Sequence, residues 1–354
     1  MPVNLREHAG TLCFAATSTP CGAHLDRPPI SSEVHDAGSG ETIGVTPRLV
    51  AFVNRGSGKL LRNERLYRGV TSLCDGRATL KAVTNDDELI RAVRELPPGP
   101  NLEVGILGGD GTHRRVMSAL HAVRGQTNLP LLVSIPFGTV NTTNRRWQGQ
   151  GAPLRAFENW LDREPLILRR QRTLSITLNE DTELIGCTVG TGLVAQFFEA
   201  YETAGGGPTT AARIAVQSFF GSFVSSKFSR TIMRPTRCRI SVDGRRAEPT
   251  EFSLVVCSVF KDVGLGIKVT YRAGNAENKI ALVTSSLPAS KLGPQFWRVL
   301  SGRALRDPQG IDCLAREWAI LFDDRGPLII DGDRFNVKCA TIRPGPVWSV
   351  LCPN

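Results

Sequence analysis

The stretch Leu102-Glu103-Val104-Gly105-Ile106-Leu107 runs directly into Gly108-Gly109-Asp110-Gly111-Thr112, and a helix-like segment from about Thr112 to Val123 follows. This order of buried strand, glycine turn and helix constrains the fold more than any other feature of the chain. A strand that feeds a helix through glycines belongs in an open parallel sheet, where ligands sit beyond the carboxyl ends of the strands. Glycines let the backbone approach an anion closely. The start of a helix adds free N–H groups and the positive end of its dipole. Asp110 is the unusual member. A carboxylate in an anion-binding loop repels phosphate unless it meets a divalent cation or takes a proton from an acceptor hydroxyl. Its plain structural role is to cap the helix.

The same strand-then-turn logic recurs on both sides. Arg48 to Val53 is a short apolar run that breaks at Asn54-Arg55-Gly56-Ser57-Gly58. Ala78 to Val83 reads as a strand. Asn85-Asp86-Asp87 then opens a helix with apolar residues at Leu89, Ile90, Val93 and Leu96, and Pro97-Pro98-Gly99-Pro100 ends it. Leu131 to Ile135 is the next strand, and it ends in Pro136-Phe137-Gly138-Thr139-Val140-Asn141. Thr139 and Asn141 offer side-chain hydrogen bonds, and Arg145 and Arg146 offer charge. The Asn54–Lys59 turn imitates a Walker A loop. That motif requires Gly where Val53 stands and Ser or Thr where Leu60 stands, so a P-loop is excluded.

Beyond about Leu166 the pattern changes. Leu174 to Leu178, Glu183 to Val189, Arg239 to Val242, Phe252 to Val259, Ile267 to Tyr271 and Lys279 to Thr284 read as β segments, with Asp243-Gly244 as a hairpin signal. Helix-like inserts interrupt them at about 209–229 and 293–304. Late in the chain, apolar Leu328-Ile329-Ile330 leads into Asp331-Gly332-Asp333. Two carboxylates flanking a glycine can hold magnesium or act as a base, although the spacing alone reads as a β-turn. The expected fold is therefore α/β. Residues 47–165 form a parallel-sheet nucleotide-binding domain, and 166–335 form an antiparallel β-sandwich. Residues 336–354 return to the first domain, and 1–46 form a mobile extension without sustained periodicity.

Charge and cysteine usage narrow the setting. Forty-three basic against 33 acidic residues give a formal net charge of +10, which favours an anionic partner. The basic residues are dispersed and no aromatic-and-basic strand motif appears, which argues against nucleic acid. Nine scattered cysteines without a Cys-x-x-Cys pair fit a reducing, cytoplasmic compartment better than a disulfide framework or zinc. No apolar run reaches the ~18 residues of a transmembrane helix, so contact with a membrane is expected to be peripheral. Val216, Phe219, Phe220, Phe223 and Val224 fall at helical spacing. They suit an interfacial helix or, more commonly, an aromatic stripe packed into a core. The same pair of roles fits Phe296-Trp297. His113 and His121 read as surface residues of the helix after the glycine motif.

Together the turns resemble the diacylglycerol kinase catalytic-domain family, which includes bacterial lipid kinases, sphingosine kinases and ceramide kinases. The signature is an Asn-Pro-x-(Ser/Ala)-Gly turn, Gly-Gly-Asp-Gly-Thr, Pro-x-Gly-Thr-x-Asn and a late Asp-Gly-Glu. Here these are Asn54 to Gly58, Gly108 to Thr112, Pro136 to Asn141 and Asp331-Gly332-Asp333. Gly186 to Gly192 resembles the glycine-rich start of that family's lipid domain.

The resemblance implies an ATP-dependent lipid kinase with magnesium, acting on diacylglycerol or a sphingolipid such as ceramide. The nucleotide would lie between the two domains against Asn54, Ser57, Gly58, Gly108, Gly109, Asp110, Gly111, Thr112, Gly138, Thr139 and Asn141. Asp333, Asp110 and Asp331 would be the catalytic carboxylates, with Asp110 and Glu277 as candidate metal ligands. The partner would be a lipid at a membrane surface, with room for a homodimer. The chain departs from the pattern at Arg55 in place of Pro and at Asp333 in place of Glu, one methylene shorter. Glu277-Asn278 stands where many members have Asp-Gly. NAD kinases share Gly-Gly-Asp-Gly-Thr, so a soluble-substrate kinase is the rival enzyme, although no Asn-Glu nucleoside-binding element is present. A non-catalytic lipid- or anion-sensing module is the rival from another class.

Overall fold

Apolar runs bounded by turn residues form the first sheet, as their composition requires. The computed structural model describes residues 48–55, 63–99, 101–137, 152–205, 209–210, 213–214, 217, 226–264 and 266–353. Strand β1 (Arg48–Asn54) lies between β2 (Thr79–Val83) and β3 (Leu102–Gly108), and β4 (Leu131–Pro136) follows β3; all pair in parallel. Side chains alternate across this sheet. Val50, Phe52, Val104, Ile106 and Leu132 face a core formed with helices α2 (Asp86–Arg94) and α3 (Asp110–Arg124). Ala51, Val53, Leu107, Val133 and Ile135 face the opposite core, with α1 (Glu64–Cys74) and α4 (Pro153–Leu161). Helices on both faces explain why β3 is buried along its whole length.

The boundaries of α2 follow local chemistry. The Asn85 side chain accepts from the Glu88 N–H at 2.9 Å, three acidic residues occupy the first turn, and Arg91 and Arg94 occupy the last. Helix α3 starts two residues before its apolar periodicity does. Gly109 takes the cap position and no side chain caps the helix, so Asp110 lies in the first turn rather than serving as the cap.

The second part is antiparallel. Its strands are β5 (Leu166–Leu178), β6 (Thr182–Gly186), β7 (Thr188–Gly192), β8 (Thr236–Val242), β9 (Arg245–Arg246), β10 (Glu251–Phe252), β11 (Leu254–Ser258), β12 (Ile280–Ser285), β13 (Asp312–Ala315), β14 (Trp318–Ile330) and β15 (Asp333–Pro353). Helix α5 (Leu193–Thr203) follows β7, α6 (Lys227–Ile232) precedes β8, and α7 (Ala289–Leu292) and α8 (Phe296–Leu300) follow β12. Asp243 and Gly244 both adopt positive φ between β8 and β9, as a type I′ hairpin requires. Two expectations need correction. Glu183 to Val189 divides into β6 and β7 at Cys187. Ile267 to Tyr271 is a turn, not a strand: Gly266 has φ +77°, and the Thr270 hydroxyl donates to the Phe260 carbonyl at 2.6 Å.

The two parts share one continuous sheet path, β13-β12-β11-β7-β14-β15-β4-β3-β1-β2. Strand β15 joins them. It pairs with β14 up to Ile342, runs antiparallel to β5 as far as Pro353, and meets β4 in parallel at Val350 and Leu351. The extension 1–46, Ser57, Gly58, Gly138, Thr139, Asn141, Arg145, Arg146 and the Phe219–Val224 stripe lie outside the described residues.

Candidate active site

Parallel pairing brings the carboxyl ends of β1, β3 and β4 to one edge, at Asn54, Gly108 and Pro136. Two hydrogen bonds tie these ends together. Asn54 Nδ2 donates to Thr112 Oγ1 at 3.3 Å, and the Phe137 N–H donates to the Gly108 carbonyl at 3.2 Å. The first three motifs thus converge wherever their residues are described. No side chain caps α3, and the positive end of its dipole lies at this edge.

The fourth motif comes to the same place from the other end of the chain. Ile330 pairs with Asp333 across a two-residue turn in which Asp331 and Gly332 have φ of +48° and +92°, the type I′ signature. Asp331 is built into its surroundings. Its carboxylate accepts from the Cys187 N–H at 2.9 Å and the Thr188 N–H at 2.8 Å, which fastens the turn to the junction of β6 and β7. A Cβ at Gly186 would lie 3.0 Å from Asp331 Oδ2, so a side chain there would press on this carboxylate. Burial raises the Asp331 pKa to about 7. The two N–H bonds and Arg114 oppose the rise, and the charge of Asp110 adds to it. Asp110 and Asp331 therefore act on one another electrostatically.

Asp333 lies against the glycine loop. A Cβ at Gly111 would fall 2.9 Å from its Oδ2. Arg114, on the next turn of α3, donates to that oxygen from Nη2 at 2.8 Å and from Nε at 3.2 Å. The guanidinium is nearly buried and stands 5.0 Å from the centre of the Phe335 ring. The Cys187 thiol is pushed well up by burial and by the charges of Asp331 and Asp110, which leaves it without nucleophilic character.

These contacts, the described length of the glycine motifs and the late Asp-Gly-Asp turn form one constellation. Residues 48–167 match the family model for the diacylglycerol kinase catalytic domain. A crystal structure of a diacylglycerol kinase from Bacillus anthracis str. Sterne superposes with a TM-score of 0.56 at 13% identity, over 86% of this chain and 96% of that one. Two further structures from the same organism give TM-scores of 0.60 and 0.58 at 14% and 13% identity, with the same coverage. At such identities the likeness is one of fold, and it extends well past residues 48–167. No curated protein matches the chain significantly.

The remaining candidates separate. Glu277 is exposed in a turn before β12. Among the described residues no three His, Cys, Asp or Glu side chains form a metal-holding group. His113 is not a surface residue. It is 1% exposed, with Nδ1 2.9 Å from the Gly109 carbonyl and Nε2 against Ser134 Oγ. His121 is mostly buried, 3.7 Å from Glu183. Two features escaped the sequence pattern. One is Arg114, whose charge on a helix reads as surface. The other is an aromatic cluster on α5: Phe198 stacks edge-on with Phe197 at 5.8 Å and with Tyr201 at 6.3 Å. The Phe198 ring lies 3.5 Å from where Gly332 would carry a Cβ. Among the described residues no helix is long and apolar enough to cross a membrane.

Proposed function

We propose that this protein is an ATP-dependent lipid kinase that transfers the γ-phosphate to the primary hydroxyl of a neutral lipid, diacylglycerol or ceramide. One observation carries the proposal. The glycine loop suited to phosphates and the carboxylate suited to an acceptor hydroxyl touch, at Gly111 and Asp333. In this reading the loop and the start of α3 hold the nucleotide phosphates, and Asn54 and Thr112 fix the loop's geometry. The acceptor oxygen attacks the γ-phosphorus, the bond from phosphorus to the ADP oxygen breaks, and the hydroxyl proton passes to Asp333. Asp110 and Asp331 form a pair of interacting carboxylates, a donor set that suits a hard divalent cation completed by phosphate oxygens. Bound magnesium would neutralise charge on the phosphates.

The aromatic cluster on α5 beside Gly332 favours a lipid over a soluble acceptor, because it offers an apolar wall next to the acceptor carboxylate. Peripheral approach to a membrane fits the net charge of +10. The deciding experiment supplies labelled ATP and magnesium with diacylglycerol, ceramide, sphingosine and NAD in detergent micelles. Label in diacylglycerol or ceramide is the expected result. Label in NAD alone would make this a soluble-substrate kinase, and label in none would leave a binding module.

A further inference from the structure

We infer that Arg114 is a positioning residue that holds one carboxylate oxygen of Asp333, so that the other, Oδ1, faces the acceptor hydroxyl. The inference deepens the kinase function proposed above. Both hydrogen bonds from Arg114 end on Oδ2, from Nη2 at 2.8 Å and Nε at 3.2 Å. Oδ1 receives no hydrogen bond among the described residues, and the Asp333 side chain is 45% exposed against 9% for Arg114. Oδ1 lies beside the glycine loop, 3.0 Å from where Gly111 would carry a Cβ, so the oxygen that Arg114 leaves unbound is the one presented along that loop.

The arrangement follows from both elements. Gly111 and Arg114 are three residues apart on α3 and so share a helix face, and both meet Asp333. Asp333 and Phe335 are two residues apart on β15 and so share a strand face, and the Phe335 ring supports the Arg114 guanidinium from the side. A buried arginine needs an anionic partner, and a short carboxylate on a turn needs an anchor to adopt one rotamer. Each supplies what the other lacks. Asp333 is one methylene shorter than glutamate, and Arg114 determines where that shorter reach points. When the acceptor hydroxyl attacks phosphorus, its proton moves to Oδ1 while Arg114 continues to balance the charge on Oδ2.

The test is a double-mutant cycle read in kcat and in KM for ATP, with a crystal structure of the Arg114→Met variant. Arg114→Met should lower kcat about 10- to 100-fold, the scale of a misplaced reacting group, with little change in KM for ATP. Arg114→Lys should recover part of kcat, because one ammonium replaces a two-donor fork. It also carries the cycle if the methionine variant fails to fold. In an Asp333→Asn background either change should cost nothing further. In the crystal, the Asp333 carboxylate should leave its place against Gly111. An equal loss of kcat in the Asp333→Asn background, a loss carried by KM for ATP, or an unmoved Asp333 each overturns the inference. If the wild type transfers phosphate to no lipid, the proposed function falls, while the position of Asp333 in the variant still decides the role of Arg114.

Discussion

His113 is one residue past the glycine motif, and its ring fixes the motif's carbonyl geometry. The Gly109 carbonyl can only accept, so Nδ1 carries the proton and Nε2 takes the Ser134 hydroxyl hydrogen. Burial lowers the His113 pKa below its ordinary 6.5, outweighing the Gly109 bond and the charge of Asp110, and the ring is neutral in the folded protein. The unfolded chain takes up a proton near pH 6.5 while the folded chain resists, so the stability His113 supplies is complete above that pH and is lost below it. His113→Gln should cost about 1–3 kcal/mol near pH 8, the scale of an impaired buried hydrogen bond. In urea unfolding, the gap to wild type should narrow as pH falls from 6.5 toward 5. A gap that ignores pH would separate this ring's charge from folding. The charge of Asp110 bears on Asp331, and the proposed function gives Asp110 a part in the chemistry. Asp110→Asn should leave circular dichroism unchanged and lower turnover at least ~100-fold. Normal turnover in that folded variant would remove Asp110 from the chemistry. Neither His113 nor Arg114 was legible as buried, because a ring and a guanidinium on a helix look like surface until β4 and β15 cover them. The carboxylates were legible, since a turn motif names its own residues.

At the scale of elements, α4 shows how a charge can fasten a helix to a sheet. Glu103 is 3% exposed at the start of β3 and accepts from Trp160 Nε1 at 2.8 Å, and from Arg163 Nη1 at 2.7 Å and Nη2 at 2.9 Å. A buried carboxylate that loses its cation is costly, whereas a neutral amide in its place keeps one oxygen to accept from Trp160 Nε1 and Arg163 Nη1 and leaves no buried charge. Arg163→Met should therefore destabilise by about 3–5 kcal/mol and Glu103→Gln by clearly less. Thermal or urea unfolding gives the order directly, and the reverse order would mean that the ion pair adds little. The strands β1, β3 and β4 were legible because burial on both faces leaves a continuous apolar run. Helices α1 and α4 were not anticipated. Helix α1 buries only Val70 and Cys74 and carries Arg65 and Arg68 in its first half, and α4 opens on Pro153 with no side chain capping it. Ile267 to Tyr271 carries β-favouring residues, but Val269 and Thr270 are buried by a turn that ends in the bond to Phe260, not by pairing. Local preference was overridden there by tertiary packing.

At the scale of the whole molecule, the net charge of +10 leads to one expectation about membranes. Binding to anionic vesicles should be reversible and should weaken as salt shortens the Debye length from ~10 Å toward ~3 Å. Sedimentation that is indifferent to salt would exclude the electrostatic part. Strand β15 makes the stronger claim, because it belongs to both parts of the fold. Asp333 at its start lies against the glycine loop, while Trp348, Val350 and Cys352 near its end lie in the core beneath α2 and α3. Trp348 is fully buried, and its indole N–H has no partner among the described residues. Trp348→Ala should cost about 3–5 kcal/mol through the cavity it leaves. Trp348→Phe should cost much less, because it keeps a ring and removes an unpaired donor. If β15 couples the two parts, the alanine variant should lose amide protection in β3 and in β14 together, in one cooperative transition. Hydrogen exchange that opens β3 while β14 stays protected would show that the parallel and antiparallel parts unfold separately. The site would then depend on the pairing of two units rather than on one shared strand.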